Sequence, residues 1–183
     1  MSAQQYQPSS LSDVTVTIDG DDTVVTFPRT LPYPVDQVWA AVTDPEMLAK
    51  WTPYTADRNL GSVGEVVIAM LSEEGDPEMS FPASVRVVEP ARRLEHEWGP
   101  DELIWELTPV DGGTEVVLTQ RSRAEGMASA LAAGWHLCFD VLDALLAGSP
   151  FGPIVGEKAR EYGWDDLNSR YASRLGIEES EVW

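Results

Sequence analysis

The chain has 183 residues, 43% of them apolar, which fits one domain with a sizeable core. Twelve basic residues against 31 acidic residues give a formal net charge of -19, and such a field repels phosphate backbones and anionic headgroups. We therefore expect no nucleic-acid partner and no membrane partner.

The cysteine content and the N-terminus indicate a cytoplasmic protein. One cysteine, Cys138, excludes an internal disulfide, and it falls inside an apolar helical stretch. Residues 1–12 are polar, lack the pattern of a signal peptide and are expected to be flexible. No stretch approaches the roughly 20 apolar residues of a membrane span.

The next residues predict a β-hairpin followed by two short helices. Stretches of strand-like residues at 14–18 and 23–31 flank an Asp-rich turn. Pro34 suits the first turn of a helix, because its missing amide hydrogen costs nothing there. Asp44 precedes a second proline and is expected to cap the second helix.

Residues 65–120 predict a run of antiparallel strands with one apolar face. Apolar and charged residues alternate within 92–98 and again within 102–108. A tight turn at 111–113 leads into the last strand. The residues expected on the apolar face are Leu94, His96, Trp98, Leu103, Trp105, Leu107, Val116, Leu118 and Gln120.

From about Glu125 the apolar period changes from 2 to 3.6, which predicts a long helix ending near Gly148. The sheet is apolar on one face, and this helix is the element long enough to cover it. Residues 151–156 form a linker, and a final amphipathic helix carries Trp164 and Tyr171. We expect a helix-grip domain at 13–150, with residues 151–183 packed on it.

Gly134 interrupts the long helix at a thin section rich in alanine. Glycine in a helix costs about 1 kcal/mol relative to alanine, so another element or a ligand is expected to approach closely there. Close packing against the first helices is favoured over a pocket entrance.

The stretch from Leu31 to Trp51, LPYPVDQVWAAVTDPEMLAKW, resembles the opening signature of the SRPBCC (START-like) superfamily, and more narrowly of the Aha-type branch, the activators of heat-shock-protein ATPase. The stretch 88–98, the DGGT turn at 111–114 and AAGWH at 132–136 agree with it. Trp164, Leu167 and Tyr171 resemble the tail of a bacterial subgroup. The resemblance covers roughly residues 24–175.

The resemblance implies an α+β helix-grip fold, in which a curved antiparallel sheet packs on a long C-terminal helix around a deep apolar pocket. Members of the superfamily bind lipids, sterols or polyketides, and some act as cyclases or hydroxylase components. Chaperone activation belongs to eukaryotic members with an additional N-terminal domain, so the branch name does not imply that function here.

The candidate ligand-binding residues combine apolar and aromatic walls with a few polar groups, the usual make-up of a small-molecule site. Each of them could instead be ordinary core. They are Trp39, Trp51, Leu94, His96, Trp98, Leu103, Trp105, Leu118, Gln120, Trp135 and Phe139. Two histidines and one cysteine show no metal-ligand spacing, so we expect neither metal nor cofactor.

Three functions remain open. The first is binding of a small apolar molecule, lipid-, aromatic- or polyketide-like, by a monomer or homodimer. The second is an enzyme of the cyclase, dehydratase or hydrolase type with His96 as general acid or base. His136 has Asp140 one turn later, and a paired histidine on the helix surface is favoured over a catalytic one. The third is an acidic protein-interaction module.

Overall fold

The computed structural model describes residues 6–181, which form an eight-stranded antiparallel sheet and five helices. The strands are β1 (Thr15–Asp19), β2 (Asp22–Leu31), β3 (Tyr54–Ala56), β4 (Gly64–Leu71), β5 (Pro77–Glu89), β6 (Arg93–Trp98), β7 (Asp101–Val110) and β8 (Gly113–Ser122). The helices are α1 (Val35–Thr43), α2 (Pro45–Leu48), α3 (Ala128–Leu146), α4 (Lys158–Glu161) and α5 (Trp164–Leu175). The α+β helix-grip architecture expected from the sequence is confirmed.

The sheet runs in the order β1-β2-β8-β7-β6-β5-β4-β3. The N-terminal hairpin therefore pairs with the last strand, and Phe27 lies opposite Leu118. Register shifts at Met70/Leu71 and at Val85/Val87 interrupt the ladders of β5 with its neighbours. Such bulges bend and twist strands locally.

The alternation in β6, β7 and β8 predicted the buried face correctly. Leu94, His96, Leu103 and Trp105 are fully buried beneath α3, whereas Trp98 at the end of β6 is half-buried. α3 packs on β2 and on α5, so the terminal amphipathic helix covers part of the long one.

α3 is also long and apolar enough to cross a membrane by length and composition. The expectation that no such stretch exists is therefore wrong. However, 61% of this window is buried inside the fold, as in the core helix of a soluble domain.

Three further details differ from the expectations. The three-residue strand β3 and the single turn α4 were not predicted, because both are too short to show a period. β5 begins at Pro77, at the end of the acidic stretch 73–77, which contains Gly and Pro and which the sequence predicts to be a loop.

Residues 6–12 belong to the segment that the sequence predicts to be flexible, and the structure gives them specific contacts. From Tyr6 onwards this segment lies along α3 and α5. Ser9 bonds to Asp140, and the Ser12 amide donates to the Tyr171 hydroxyl at 3.1 Å. Residues 1–5 lie outside the described residues.

Candidate functional site

A cavity of about 320 Å³ opens beside α3. The ends of β4 and β6, Pro53 and the segment 154–164 form its other walls. Its walls are almost entirely apolar. From the sheet side it is lined by Pro53, Met70, Leu71, Trp98 and Gln120. From α3 and its lead-in it is lined by Met127, Ala130, Leu131, Gly134, Trp135, Leu137 and Cys138, and from the C-terminal segment by Ile154, Val155, Gly156, Ala159 and Trp164.

Gly134 borders this cavity, and a Cβ atom placed on it would meet nothing within 4 Å outside its own helical turns. The favoured expectation of close packing at Gly134 is therefore wrong. The absent side chain leaves open volume along α3, and the pocket-entrance interpretation fits the structure.

Three of the predicted site residues, Trp98, Gln120 and Trp135, line the cavity. Trp39 is half-buried on α1 and does not line it. The remaining candidates are fully buried side chains of the core, namely Trp51, Leu94, His96, Leu103, Trp105, Leu118 and Phe139. The sequence placed these residues on the correct face, but alternation does not report the position along a strand.

Aromatic rings fill the interior behind the cavity wall. Trp105 meets Trp51 edge-on at 5.8 Å between ring centroids and Trp135 edge-on at 5.5 Å. Phe139 lies 6.0 Å from Trp51 and stacks on Phe27 at 5.1 Å. The space expected between sheet and helix is thus occupied by rings at its centre, and it is open at the Gly134 end.

A chain of two hydrogen bonds fixes the polar edge of the cavity. The Trp135 indole Nε1 donates to Gln120 Oε1 at 2.7 Å, and Gln120 Nε2 donates to Asp101 Oδ2 at 2.6 Å. The amide of Gln120 therefore holds the Trp135 ring in place. On the same wall the Trp98 indole donates to the Met70 sulfur at 3.2 Å.

His96 lies one layer deeper than the cavity wall. Its Nδ1 is 3.0 Å from the Glu97 carbonyl oxygen and its Nε2 is 3.3 Å from the Tyr54 hydroxyl. Burial lowers the pKa of His96 to about 4, although the hydrogen bond to the Glu97 carbonyl acts in the opposite direction. The imidazole is thus neutral near pH 7, and it is not among the residues that line the cavity.

Cys138 is buried at the cavity wall, and burial raises the pKa of its thiol to about 12. The thiol therefore stays protonated and is a poor nucleophile. It contributes a small apolar surface, as the sequence predicted.

A second buried polar cluster lies on another face of α3, around Asp140. The carboxylate accepts from the Tyr6 hydroxyl at 2.6 Å, from the Ser9 hydroxyl at 2.6 Å and from the Ser9 amide at 3.0 Å, and it pairs with the Arg29 guanidinium. Burial alone would raise the pKa of Asp140, but hydrogen bonds from His136, Ser9 and Tyr6 hold it well below its usual range.

His136 belongs to this cluster and is fully buried, so the expected surface pair with Asp140 is instead an internal one at 3.4 Å. The Ser9 hydroxyl donates to Asp140, and His136 Nε2 lies 3.1 Å from Ser9 Oγ and 3.4 Å from Asp140 Oδ2. His136 Nδ1 lies 2.8 Å from the Tyr171 hydroxyl oxygen. The Ser9 hydroxyl is consequently not activated as a nucleophile, and the cluster is a fully partnered structural lock.

Between residues 6 and 181, no three or more His, Cys, Asp or Glu side chains are grouped so as to hold a metal ion. The arrangement at the cavity can exclude water and enclose an apolar molecule.

The cavity residues that sequence reasoning missed come mainly from the C-terminal segment and from β4. Ile154 and Val155 are buried, and Met70 and Ala159 complete the wall beside them. The feature of the sequence that could have predicted this wall is the apolar pair Ile154 and Val155 inside a Gly/Pro-rich linker. Neither periodicity nor alternation applies to such a short, irregular stretch.

Comparison with solved structures places the chain among small bacterial proteins of one fold. CalU16 from Micromonospora echinospora is 21% identical with a TM-score of 0.62, and the match covers 94% of this chain and 99% of that one. EF2215 from Enterococcus faecalis, a conserved protein of unknown function, is 11% identical with a TM-score of 0.66, over 90% and 91% of the two chains.

DynU16, a putative protein in the dynemicin biosynthetic locus, is 27% identical with a TM-score of 0.57, and the match covers 71% of this chain and 50% of that one. No curated protein matches the chain. The family model described as Activator of Hsp90 ATPase homolog 1-like protein matches residues 32–147, more than half of the chain. With its helix-grip fold, the chain therefore belongs to the Activator of Hsp90 ATPase homolog 1-like protein family.

Proposed function

We propose that this protein binds a small apolar molecule, aromatic, lipid- or polyketide-like, in the cavity beside Gly134. The observation that carries the proposal is a cavity of about 320 Å³ with apolar walls, next to a helical glycine whose Cβ position has no neighbour within 4 Å outside its own helical turns. Ligand sites of this kind start at about 300 Å³, so the ligand is small. We further propose a cytoplasmic location.

The negative charge of the protein disfavours anionic ligands. The formal net charge is -19, and Asp101 lies behind the polar edge of the cavity. Anionic molecules are repelled by this field, so a neutral ligand is favoured. The place of DynU16 in a biosynthetic locus supports a ligand drawn from small-molecule biosynthesis.

The enzymatic alternative has less support. The ring nitrogens of His96 are both engaged, by the Tyr54 hydroxyl and the Glu97 carbonyl, and the Cys138 thiol is protonated. Neither group offers a free acid, base or nucleophile at the cavity. We therefore propose a binding protein.

Titration with the neutral fluorescent probe N-phenyl-1-naphthylamine tests the proposal. Wild-type protein is expected to enhance the emission of the probe in a saturable manner. Gly134→Phe places a ring in the cavity and is expected to abolish this binding. Gly134→Ala adds a single methyl group to the same open volume and is expected to retain it.

Unfolding in urea shows whether Gly134→Phe is folded, so that lost binding is not mistaken for lost structure. Equal probe binding by a folded Gly134→Phe protein would contradict the cavity as the site. Native mass spectrometry of gently purified protein adds an independent measurement, since a co-purifying apolar molecule is expected.

A further inference from the structure

The segment between Gly148 and Gly163 forms one wall of the cavity. Its Ile154 and Val155 side chains are buried there, and Gly156 lines the cavity beside them. α3 and the sheet supply most of the other walls. Displacement of this segment would therefore remove one wall and open the cavity to solvent.

This wall differs from the others in its backbone hydrogen bonding. The others belong mainly to α3, a helix of 19 residues, and to strands of the sheet. Residues 150–157 contain no helix or strand, and among the described residues no backbone hydrogen bond joins 150–158 to a strand. Regions with few backbone hydrogen bonds to the core open at a lower free energy than the helices and strands around them.

Glycines with positive φ lie at both ends of the segment. Gly148 follows α3 with a φ of 78°, and Gly163 precedes α5 with a φ of 85°. A Cβ at Gly148 would meet nothing within 4 Å, and one at Gly163 would meet Pro8 Cγ at 3.9 Å. Glycine adopts many backbone conformations, and hinges are usually a few such positions at the ends of elements. Both glycines are therefore suited to act as hinges.

Contacts with two distant parts of the chain fasten the segment. At its middle, the Glu157 amide donates to Glu73 Oε1, on the β4–β5 loop, at 2.9 Å. Nearer its ends, Phe151 and Tyr162 stack with 6.2 Å between ring centroids. The Tyr6 ring, from the N-terminal segment, packs against both of them, at 6.1 Å and 5.4 Å. A surface loop and the N-terminal segment thus hold this wall in place.

We propose that residues 149–162 form a lid over the cavity, hinged at Gly148 and Gly163, which opens to admit and release the ligand. This inference rests on the proposed function and adds the route of entry to it. The open volume beside Gly134 belongs to the same cavity, so the lid controls access to that volume.

The closed lid is the more populated form, because opening exposes the Ile154 and Val155 side chains to water. Opening also breaks the hydrogen bond from Glu157 to Glu73. A minor open form is sufficient for exchange, since the ligand passes whenever that form is populated. The lid must open for entry and for exit, so a stronger fastening slows association and release alike.

A disulfide between the lid and the β4–β5 loop tests the inference. A Cβ on Gly156 would lie 3.1 Å from Glu73 Cγ, the position that a cysteine sulfur takes, so Glu73→Cys/Gly156→Cys is within reach of a disulfide. Association of N-phenyl-1-naphthylamine is followed by stopped-flow fluorescence, and its release is followed after dilution. The oxidised variant is expected to bind and release the probe more slowly than the reduced variant by about tenfold.

The reduced form of this double variant is the matched control. It carries the same two substitutions, including the strain of a cysteine at Gly156, where φ is 60°. The native Cys138 is buried, and mass spectrometry identifies which cysteines are joined. Addition of a reductant is expected to restore fast exchange in the variant and to leave wild type unchanged.

Tyr6→Ala and Tyr6→Phe test the fastening by the N-terminal segment. Both lose the hydroxyl that donates to Asp140 at 2.6 Å, but Tyr6→Phe keeps the ring against Phe151 and Tyr162. Tyr6→Ala is expected to release the probe faster than Tyr6→Phe by about fivefold, the value of an aromatic contact. Equal release rates would overturn the role of the Tyr6 ring.

Hydrogen exchange gives a readout that needs no ligand. In wild type the amides of residues 154–158 are expected to exchange faster than those in the middle of α3. In the oxidised double variant they are expected to exchange more slowly than in its reduced form. Equal exchange in the oxidised and reduced forms would overturn the opening of the lid.

The outcomes separate the inference from the proposed function. Equal probe kinetics in the oxidised and reduced forms would mean that the ligand enters while the lid is closed. That result would overturn the inference and leave the apolar binding function intact. Failure of the probe to bind wild type would overturn the proposed function, and with it the role of the lid in ligand entry.

Discussion

Two buried histidines lie in contrasting regions of this molecule. His96 is held in a neutral aromatic core, where its partners are the Tyr54 hydroxyl and the Glu97 carbonyl. His136 lies in an ionic cluster beside Asp140 and Arg29, in which the carboxylate has a full set of hydrogen bonds. The first region consists of aromatic rings around a buried imidazole, whereas the second holds an ion pair.

The comparison shows that a buried ionisable group loses its charge in one region and keeps it in the other. Near His96, burial lowers the pKa of the imidazole and suppresses its charge. Around Asp140, hydrogen bonds outweigh burial and preserve the charge. The aromatic region therefore stays neutral, whereas the ionic cluster keeps its charge and contributes to stability.

Breaking the ionic cluster is expected to give the largest effect. Asp140→Asn leaves the Arg29 guanidinium without its carboxylate, in a place where only 14% of the Arg29 side chain is exposed. Removal of one partner from a buried pair costs about 3–5 kcal/mol of unfolding free energy. Urea unfolding at pH 7 measures this loss.

Asp143→Asn, on the same helix, provides the control. Asp143 is exposed and accepts one hydrogen bond from Tyr33 at 3.0 Å, so a change within about 0.5 kcal/mol is expected. Similar losses for the two variants would contradict the distinction between a buried lock and the surface of the helix.

The two regions are expected to lose stability in different pH ranges. The pKa of His96 is about 4 in the folded protein against an ordinary 6.5, so the unfolded chain binds the proton more readily. Its contribution is complete above about pH 6.5 and is lost as pH falls towards 4, by about 3 kcal/mol. The pKa of Asp140 is lowered, so its contribution is lost only below the ordinary carboxylate pKa, about 3.9.

The change in unfolding free energy between pH 7 and pH 4 is measured for wild type and for His96→Gln. The variant cannot take up this proton, so its change is expected to be smaller by about 3 kcal/mol. Equal changes in both proteins would show that His96 is not the group responsible.

The smallest expected effect concerns the empty volume beside α3. Gly134→Ala adds a methyl group that meets no neighbour and removes the conformational freedom of glycine, so we expect a gain of up to about 1 kcal/mol. Gly163→Ala is the contrasting variant, because Gly163 has a φ of 85° and alanine is strained there. Destabilisation by Gly134→Ala, measured by urea unfolding, would mean that the space beside α3 is filled.

Most of the fold was predictable from the sequence because its long elements carry a clear period. The apolar stripe around Trp135 located α3, and the alternation from Leu94 to Gln120 identified the buried face. The short elements β3 and α4 could not be recognised, since three or four residues contain no complete period.

The site was predictable only in part, for a physical reason. Trp105 on β7 and Trp135 on α3 face each other in the core, yet only Trp135 reaches the cavity, because open volume depends on how neighbouring rings fill space. The wall made by Ile154 and Val155 depends on where an irregular segment folds back. Neither property is encoded in the spacing of residues along the chain.

The lock between the N-terminal segment and α3 also affects how the chain folds during synthesis. The Ser9 hydroxyl bonds to a carboxylate 131 residues later in the sequence. At typical rates of about 5–20 residues per second, the ribosome needs roughly 7 to 26 seconds to make that stretch. Throughout this time Ser9 lacks its partner, so the ionic cluster can close only after translation has passed the middle of α3.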